Sequence, residues 1–169
     1  MNIFYLSPNP VECSKQHNDK HVVKMILEYA QLLSTAHNLI DGTTEGIYKP
    51  THKNHPSAVW VRQSIEHYGY VKDLLVALCE EYTHRYGKVH KTERTVLPRL
   101  LMPPRNMPLN GGWTLPPQCM PPEYKAPCTI RAYRKYYSEA KAHFSKWTNR
   151  KTPDWFSRLE LKKLLDNRV

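Results

Sequence analysis

Nine of the fourteen prolines fall between residues 98 and 127, together with Gly111-Gly112. Proline removes a backbone donor and locks φ, so neither a helix nor a central strand survives that density. The stretch 98–128 is therefore a long loop that separates a larger N-terminal part from a basic tail. It also holds Met102, Met107, Trp113, Leu115 and Met120, enough apolar surface to predict that it packs across the molecule rather than trailing into solvent.

On either side of the loop the apolar pattern is helical. Val22, Ile26, Tyr29, Leu33, Ala36 and Ile40 recur at the spacing of a buried helical face, which predicts one long helix over 11–40 ending at Asp41-Gly42. Ala58, Val61, Ile65, Tyr68, Val71, Leu75, Leu78 and Tyr82 carry a second, opening at His55-Pro56 and closing at Gly87. A third runs from Thr129 to Trp147, and a short fourth is expected over 153–168. Residues 1–10, closed by Ser7-Pro8-Asn9-Pro10, are an extended lead-in. Alternating strand patterns and internal repeats are absent, so the fold class is all-α. A chain of 169 residues has room for one real core, and 1–169 is read as a single domain.

Charge is unevenly placed. Residues 1–50 sum to −1, residues 51–100 to +3 and residues 101–169 to +8. Between Arg131 and Lys151 seven bases stand against one acid, interleaved with Tyr133, Tyr136, Tyr137, Phe144 and Trp147. Such a block suits a polyanion, with cations on phosphates and aromatics on bases, and it equally suits a helix with a solvated basic face. The candidate DNA contacts are Arg62, Arg131, Arg134, Lys135, Lys146, Trp147, Arg150 and Lys151. Trp113 and Tyr133 are further candidates for stacking on bases.

Other classes are poorly served. The longest apolar run, Leu74 to Cys79, is six residues, far short of a membrane span. The N-terminus lacks a secretory signal pattern, and a cytoplasmic location is expected. Four scattered cysteines are read as reduced thiols. Glycine-rich phosphate loops and the GxSxG elbow are missing. Cys13, His17 and His21 at helical spacing could ligate a metal, with His52 and His55 adding donors, but neither CxxC nor HExxH occurs. Neither a metal nor a cofactor is called for.

The first helix carries His17, His21, Lys24, Glu28, Gln31 and Thr35 at alternating spacings of four and three, which makes one polar stripe. The bland reading is the wet side of an amphipathic helix; the other is a carboxylate, a lysine and two imidazoles assembled for chemistry. Several features together resemble the phage and bacterial pyrimidine-dimer DNA glycosylase/AP lyase family (endonuclease V type). These are the opening Met1-Asn2-Ile3-Phe4-Tyr5-Leu6-Ser7-Pro8, the element Asp19-Lys20-His21, and Glu28 seven residues after that histidine. His55-Pro56 through Arg85-Tyr86-Gly87, and Lys146-Trp147 to Trp155-Phe156, are similar to the family's second helix and its basic, aromatic C-terminal segment.

The resemblance implies a DNA base-excision glycosylase with AP lyase activity. The N-terminal amine, that of Met1 or of Asn2 where Met1 is trimmed, attacks C1′ of a damaged or modified nucleotide. The base leaves, and the resulting Schiff base undergoes β-elimination. Glu28 assists ring opening and proton transfer. The family commonly carries an Arg immediately before this Glu; here that residue is Leu27, so Lys24 or His21 has to supply the positive charge. The implied partner is duplex DNA with one nucleotide flipped out, and the implied enzyme is a monomer, phage-like in kind. The alternative is a non-catalytic nucleic-acid-binding phage accessory protein whose polar stripe is merely solvated.

Overall fold

The computed structural model describes residues 1–158 and Asp166, and no strand occurs among the described residues. Among the described residues seven α-helices precede the helical stretch at 154–158: α1 (Pro10–Gln16), α2 (Asp19–Asp41), α3 (Pro56–Gln63), α4 (Ile65–Tyr86), α5 (Lys91–Thr95), α6 (Leu97–Leu100) and α7 (Thr129–Ala140). Short 3-10 turns lie at Pro122–Tyr124 and Ala142–Phe144. The all-α expectation holds.

Two expected helices are broken, and in each case a capping side chain does it. The run over 11–40 splits at His17-Asn18, where His17 is extended and the Asn18 side chain accepts from the His21 amide at 2.9 Å. Asn18 followed by Asp19 is an N-terminal signal that outranks the continuous periodicity. The second run splits at Ser64, whose extended backbone and hydroxyl cap α4 through the His67 amide at 3.1 Å. Gly42 and Gly87, both with positive φ, end α2 and α4 as expected. The third helix stops at Ala140 rather than Trp147. Residues 154–158 and Asp166 are helical, and residues 159–165 and 167–168 of the expected 153–168 helix lie outside the described residues.

Helices α2 and α4 pack against each other, with α1 on α4 and α3 on both. Between them runs the N-terminal segment, whose Ile3, Phe4, Tyr5 and Leu6 are all buried. The proline-rich stretch is tied to this core at several points. The Ile65 amide donates to Pro108 O at 3.0 Å, the Thr114 amide to His67 Nε2 at 2.9 Å, and Trp60 Nε1 to Thr114 Oγ1 at 3.0 Å. Gln118 brackets Ala126 through its amide and carbonyl, and Met107 and Met120 are buried. The loop is pinned at these points, but of the five apolar side chains that predicted its packing only Met107 and Met120 are buried, while Met102, Trp113 and Leu115 stay exposed.

One buried charge network joins the N-terminus of α2, the C-terminus of α4 and the chain after α7. Arg85, whose side chain is 0% exposed, donates to Asp19 at 2.9 Å and to Glu81 at 2.8 Å. Arg150 grips both Glu81 oxygens at 3.0 and 2.7 Å, and Thr148 donates twice to Asp19. Removing one partner of a buried pair leaves the other charge uncompensated. Arg85→Met is therefore expected to lower stability by ~3–5 kcal/mol in urea unfolding, and the more exposed Arg150→Gln by less. Equal, small losses for the two variants would show the network to be dispensable.

Candidate active site

The first residues of the chain are held one by one. The Phe4 amide donates to the Tyr29 hydroxyl at 3.0 Å, and Cys13 Sγ donates to Phe4 O at 3.1 Å. Arg134 donates twice to Leu6 O, and the Tyr70 hydroxyl donates to Ser7 O. At the tip, Ser57 Oγ donates to Met1 O at 2.8 Å, and the Tyr133 hydroxyl donates to Pro117 O at 2.6 Å with Asn2 Oδ1 3.5 Å away. Met1 and Asn2 are half-buried. A terminal residue in a small domain is usually loose; this one is positioned by its own carbonyl and by everything behind it.

Glu28 sits on α2 with its side chain 16% exposed and Oε1 3.1 Å from Lys24 Nζ, one turn earlier. Two turns further along the same face, Thr35 takes the loop between α2 and α3. The Thr51 amide donates to Thr35 Oγ1 at 3.2 Å, and Thr35 Oγ1 lies 3.4 Å from Thr51 O. That strap carries the chain to His55, the N-cap of α3, whose Nδ1 accepts from the Ser57 amide at 3.2 Å. With Nδ1 an acceptor, the neutral ring carries its proton on Nε2. Burial pushes the His55 imidazole below its ordinary value; the N-terminal ammonium and His52 push it further, and Glu28 opposes them. One ring is therefore within electrostatic reach of both the terminal amine and the helix carboxylate. The charges of the terminal ammonium and of Glu28 both act on His55, and Lys24 pairs with Glu28.

The two stripe histidines take no part in this. His17 lies off the helix and is fully buried, its Nδ1 donating to Cys13 O at 2.8 Å. His21 is buried, stacked on Phe4 at 4.3 Å, with Nδ1 2.6 Å from the Tyr137 hydroxyl. Burial, then the charges of His17, Lys141 and Lys24, pull its pKa down to about 2. His21 therefore stays neutral, and of the two residues expected to replace the missing Arg only Lys24 brings a charge to Glu28. The polar stripe is wet only in its middle, at Lys24, because an aromatic cluster covers its start and the Thr51 strap covers Thr35.

The candidate DNA contacts divide. Arg62 donates to Ala58 O and Lys53 O, Arg150 is paired with Glu81, and Trp147 is buried with Nε1 donating to Gln16 O. Arg134 is committed to Leu6 O and lies 5.4 Å from the Trp155 ring centre. Lys135 is exposed and donates to Glu123 O, and Lys151 pairs with Asp154 at the surface. Arg131 and Lys146 are exposed. Trp113 is partly exposed among Tyr5, Trp60, His67 and Tyr70. Among the described residues no three His, Cys, Asp or Glu side chains converge as a metal site would need.

Sequence reasoning took His55 as a metal donor, a helix start and part of the family resemblance, placed Thr35 in the polar stripe without a role of its own, and missed Ser57. His55-Pro56 at a helix start was a usable signal for His55. Nothing in the sequence marks Ser57, because its partner is a backbone carbonyl 56 positions away.

No curated protein and no solved structure matches this chain. The family model described as pyrimidine dimer DNA glycosylase matches residues 1–94. That span is a little over half of the 169 residues, and it contains Met1, Lys24, Glu28, His55 and Ser57 but neither the proline-rich loop nor α7. With more than half of its length inside the matched span, this chain belongs to the pyrimidine dimer DNA glycosylase family.

Proposed function

We propose that the chain is a bifunctional enzyme, a DNA glycosylase with AP lyase activity, in which the α-amine at Met1 is the nucleophile and Glu28 the proton-transfer group. What supports this reading is that Ser57 fixes Met1, and that His55, two residues before Ser57, feels the charges of both the terminal ammonium and Glu28. DNA is the partner that the family implies. The reading takes it as a duplex with one damaged or modified pyrimidine nucleotide extruded, at a cost of about a few kcal/mol in lost stacking and pairing. The enzyme acts as a monomer in the cytoplasm, the host's where a phage encodes it.

In the first step the neutral amine forms a bond to C1′. The C1′–N1 bond breaks, and the base departs with its electron pair and a proton. The sugar ring opens as O4′ takes a proton, leaving an iminium at C1′. Removal of a C2′ proton then expels the 3′-phosphate by β-elimination. Glu28 faces both proton movements, and as one carboxylate it can serve each in turn. Lys24, 3.1 Å away, pairs with Glu28 and offers a cation to the adjacent phosphate.

Borohydride trapping tests the nucleophile. Tag-free protein whose intact mass shows Met1 in place is mixed with duplexes carrying an abasic site, a thymine dimer, uracil or 5-hydroxymethyl pyrimidines. A covalent adduct that maps to Met1 is expected, and a chain extended by two residues ahead of Met1 should form none. An adduct on Lys24 would move the nucleophile. No adduct and no nicking on any substrate would leave a single-step glycosylase or a binding protein.

A further inference from the structure

The block between Arg131 and Lys151 interleaves bases with aromatics, and the fold sorts them into two groups. Tyr133, Tyr137 and Trp147 are buried. Tyr136 and Phe144 stay partly exposed and are joined by Tyr124 from the proline-rich loop. Cations lie over these three rings in alternation. Lys135 is 5.9 Å from the centre of Tyr124, and Tyr124 is 5.0 Å from Tyr136. Lys141 is 4.8 Å from Tyr136 and 5.9 Å from Phe144, and Lys20 of α2 is 4.6 Å from Phe144. Among the described residues none of Lys20, Lys135 and Lys141 has a carboxylate partner.

The order continues into the candidate active site. Lys24 is one turn beyond Lys20 on α2, about 6 Å along the axis, and it pairs with Glu28 another turn on. Tyr136 also lies parallel to Phe4, with ring centres 6.4 Å apart, which ties the same strip to the buried N-terminal segment. A row of unpaired cations supported on aromatic faces and ending at a reacting carboxylate is suited to a polyanionic strand whose bases are locally unstacked.

We infer that the strand carrying the target nucleotide runs along this strip. Its phosphates meet Lys135, Lys141, Lys20 and Lys24 in that order, and Tyr136 and Phe144 lie against the base or sugar exposed by extrusion. The inference rests on the DNA glycosylase reading and adds the path by which DNA reaches Glu28. It also gives a use to the α7 region, which lies outside the matched span.

Salt-dependent binding to a dimer-containing duplex tests it. Each phosphate contact contributes about −0.9 to the slope of log affinity against log salt. The variant Lys20→Gln/Lys135→Gln/Lys141→Gln should have a slope shallower by about 2.7, three contacts at roughly 0.9 each. Trapping yield at saturating DNA is compared with that of the control variant below, which should match the wild type. The control Lys91→Gln/Arg94→Gln/Arg99→Gln alters three exposed cations on α5 and α6 and should leave the slope unchanged. Tyr136→Ala should weaken binding to the lesion duplex by about tenfold and to undamaged duplex by less than about twofold. A track variant with the wild-type slope, or one that loses no more than the control, overturns the inference while the enzyme still traps. Equal losses from Tyr136→Ala on both duplexes overturn the part assigned to the rings. A wild type that binds no DNA overturns the glycosylase reading and the track with it.

Discussion

Glu28→Gln is expected to slow base release and Schiff-base formation by about 10²–10⁴-fold, the usual worth of a positioned proton-transfer group. DNA affinity should be unchanged or slightly tighter. The amide occupies the same volume and still accepts from Lys24, so the local packing survives. What it cannot do is take up a proton at one step and return it at the next. It also removes a negative charge from beside the phosphates, which is why binding should not weaken. Single-turnover cleavage on a dimer duplex gives the rate, and a filter or anisotropy titration gives the affinity. A Gln variant with the wild-type rate would remove Glu28 from the mechanism; one that loses binding and rate together would show a damaged fold rather than missing chemistry.

The second large effect is on stability and follows from two buried imidazoles. Burial holds His17 neutral and draws its pKa from the ordinary 6.5 to about 4, and burial with neighbouring positive charge draws His21 to about 2. Both folded values lie below the unfolded one, so below pH 6.5 the unfolded chain binds protons that the native chain refuses. Stability is therefore full above about pH 6.5 and falls with pH until the folded groups titrate. Each histidine contributes about 1.4 kcal/mol per pH unit inside its window. The two together give a slope of ~2.7 kcal/mol per unit between pH 6.5 and 4, a drop comparable to the whole stability of an ordinary domain. His37, His55, His67 and His90 are also held below their ordinary value by burial and steepen it.

Glu81 adds a later loss. Burial pushes its carboxyl up, but the hydrogen bonds from Arg150 and Arg85 outweigh this and hold it below the usual carboxylate range. Its contribution is present above the unfolded carboxylate pKa and disappears only in stronger acid. Urea unfolding at pH 7, 6 and 5 should show the midpoint falling steeply, and His21→Gln should remove about half of the two-histidine slope whatever it does to absolute stability. Equal midpoints at pH 7 and pH 5 would mean that these rings are protonated in the folded protein.

The candidate site was partly legible beforehand. Glu28 and Lys24 stand a turn apart on a helix that the apolar period makes obvious, and resemblance to a known family supplied the amine as their counterpart. The break at His17-Asn18 was also written in the chain, since Asn-Asp is a helix start, but an uninterrupted apolar period masked it. His21 shows the opposite failure. At helical spacing it belongs with Lys24 and Glu28, yet Phe4 and Tyr137, from elements far apart in sequence, enclose it and keep it neutral. The basic block misled in the same way. Arg134 and Arg150 look identical to Arg131 in composition, but backbone carbonyls and Glu81 hold the first two.

By itself the sequence determined what depends on neighbours a few residues apart. These are the helices, their glycine ends, the proline-rich interruption and the excess of positive charge toward the C-terminus. Periodicity, capping and backbone restriction act over one or two turns, so they can be read without a fold. Tertiary structure decided which side chains are wet, which are neutral and which meet. Ser57 reaches Met1, the Thr35–Thr51 strap ties the loop before His55 to α2, and Lys20 joins Lys141 over Phe144. Each of these joins distant positions, and burial and Coulomb interactions depend on separation in space rather than along the chain.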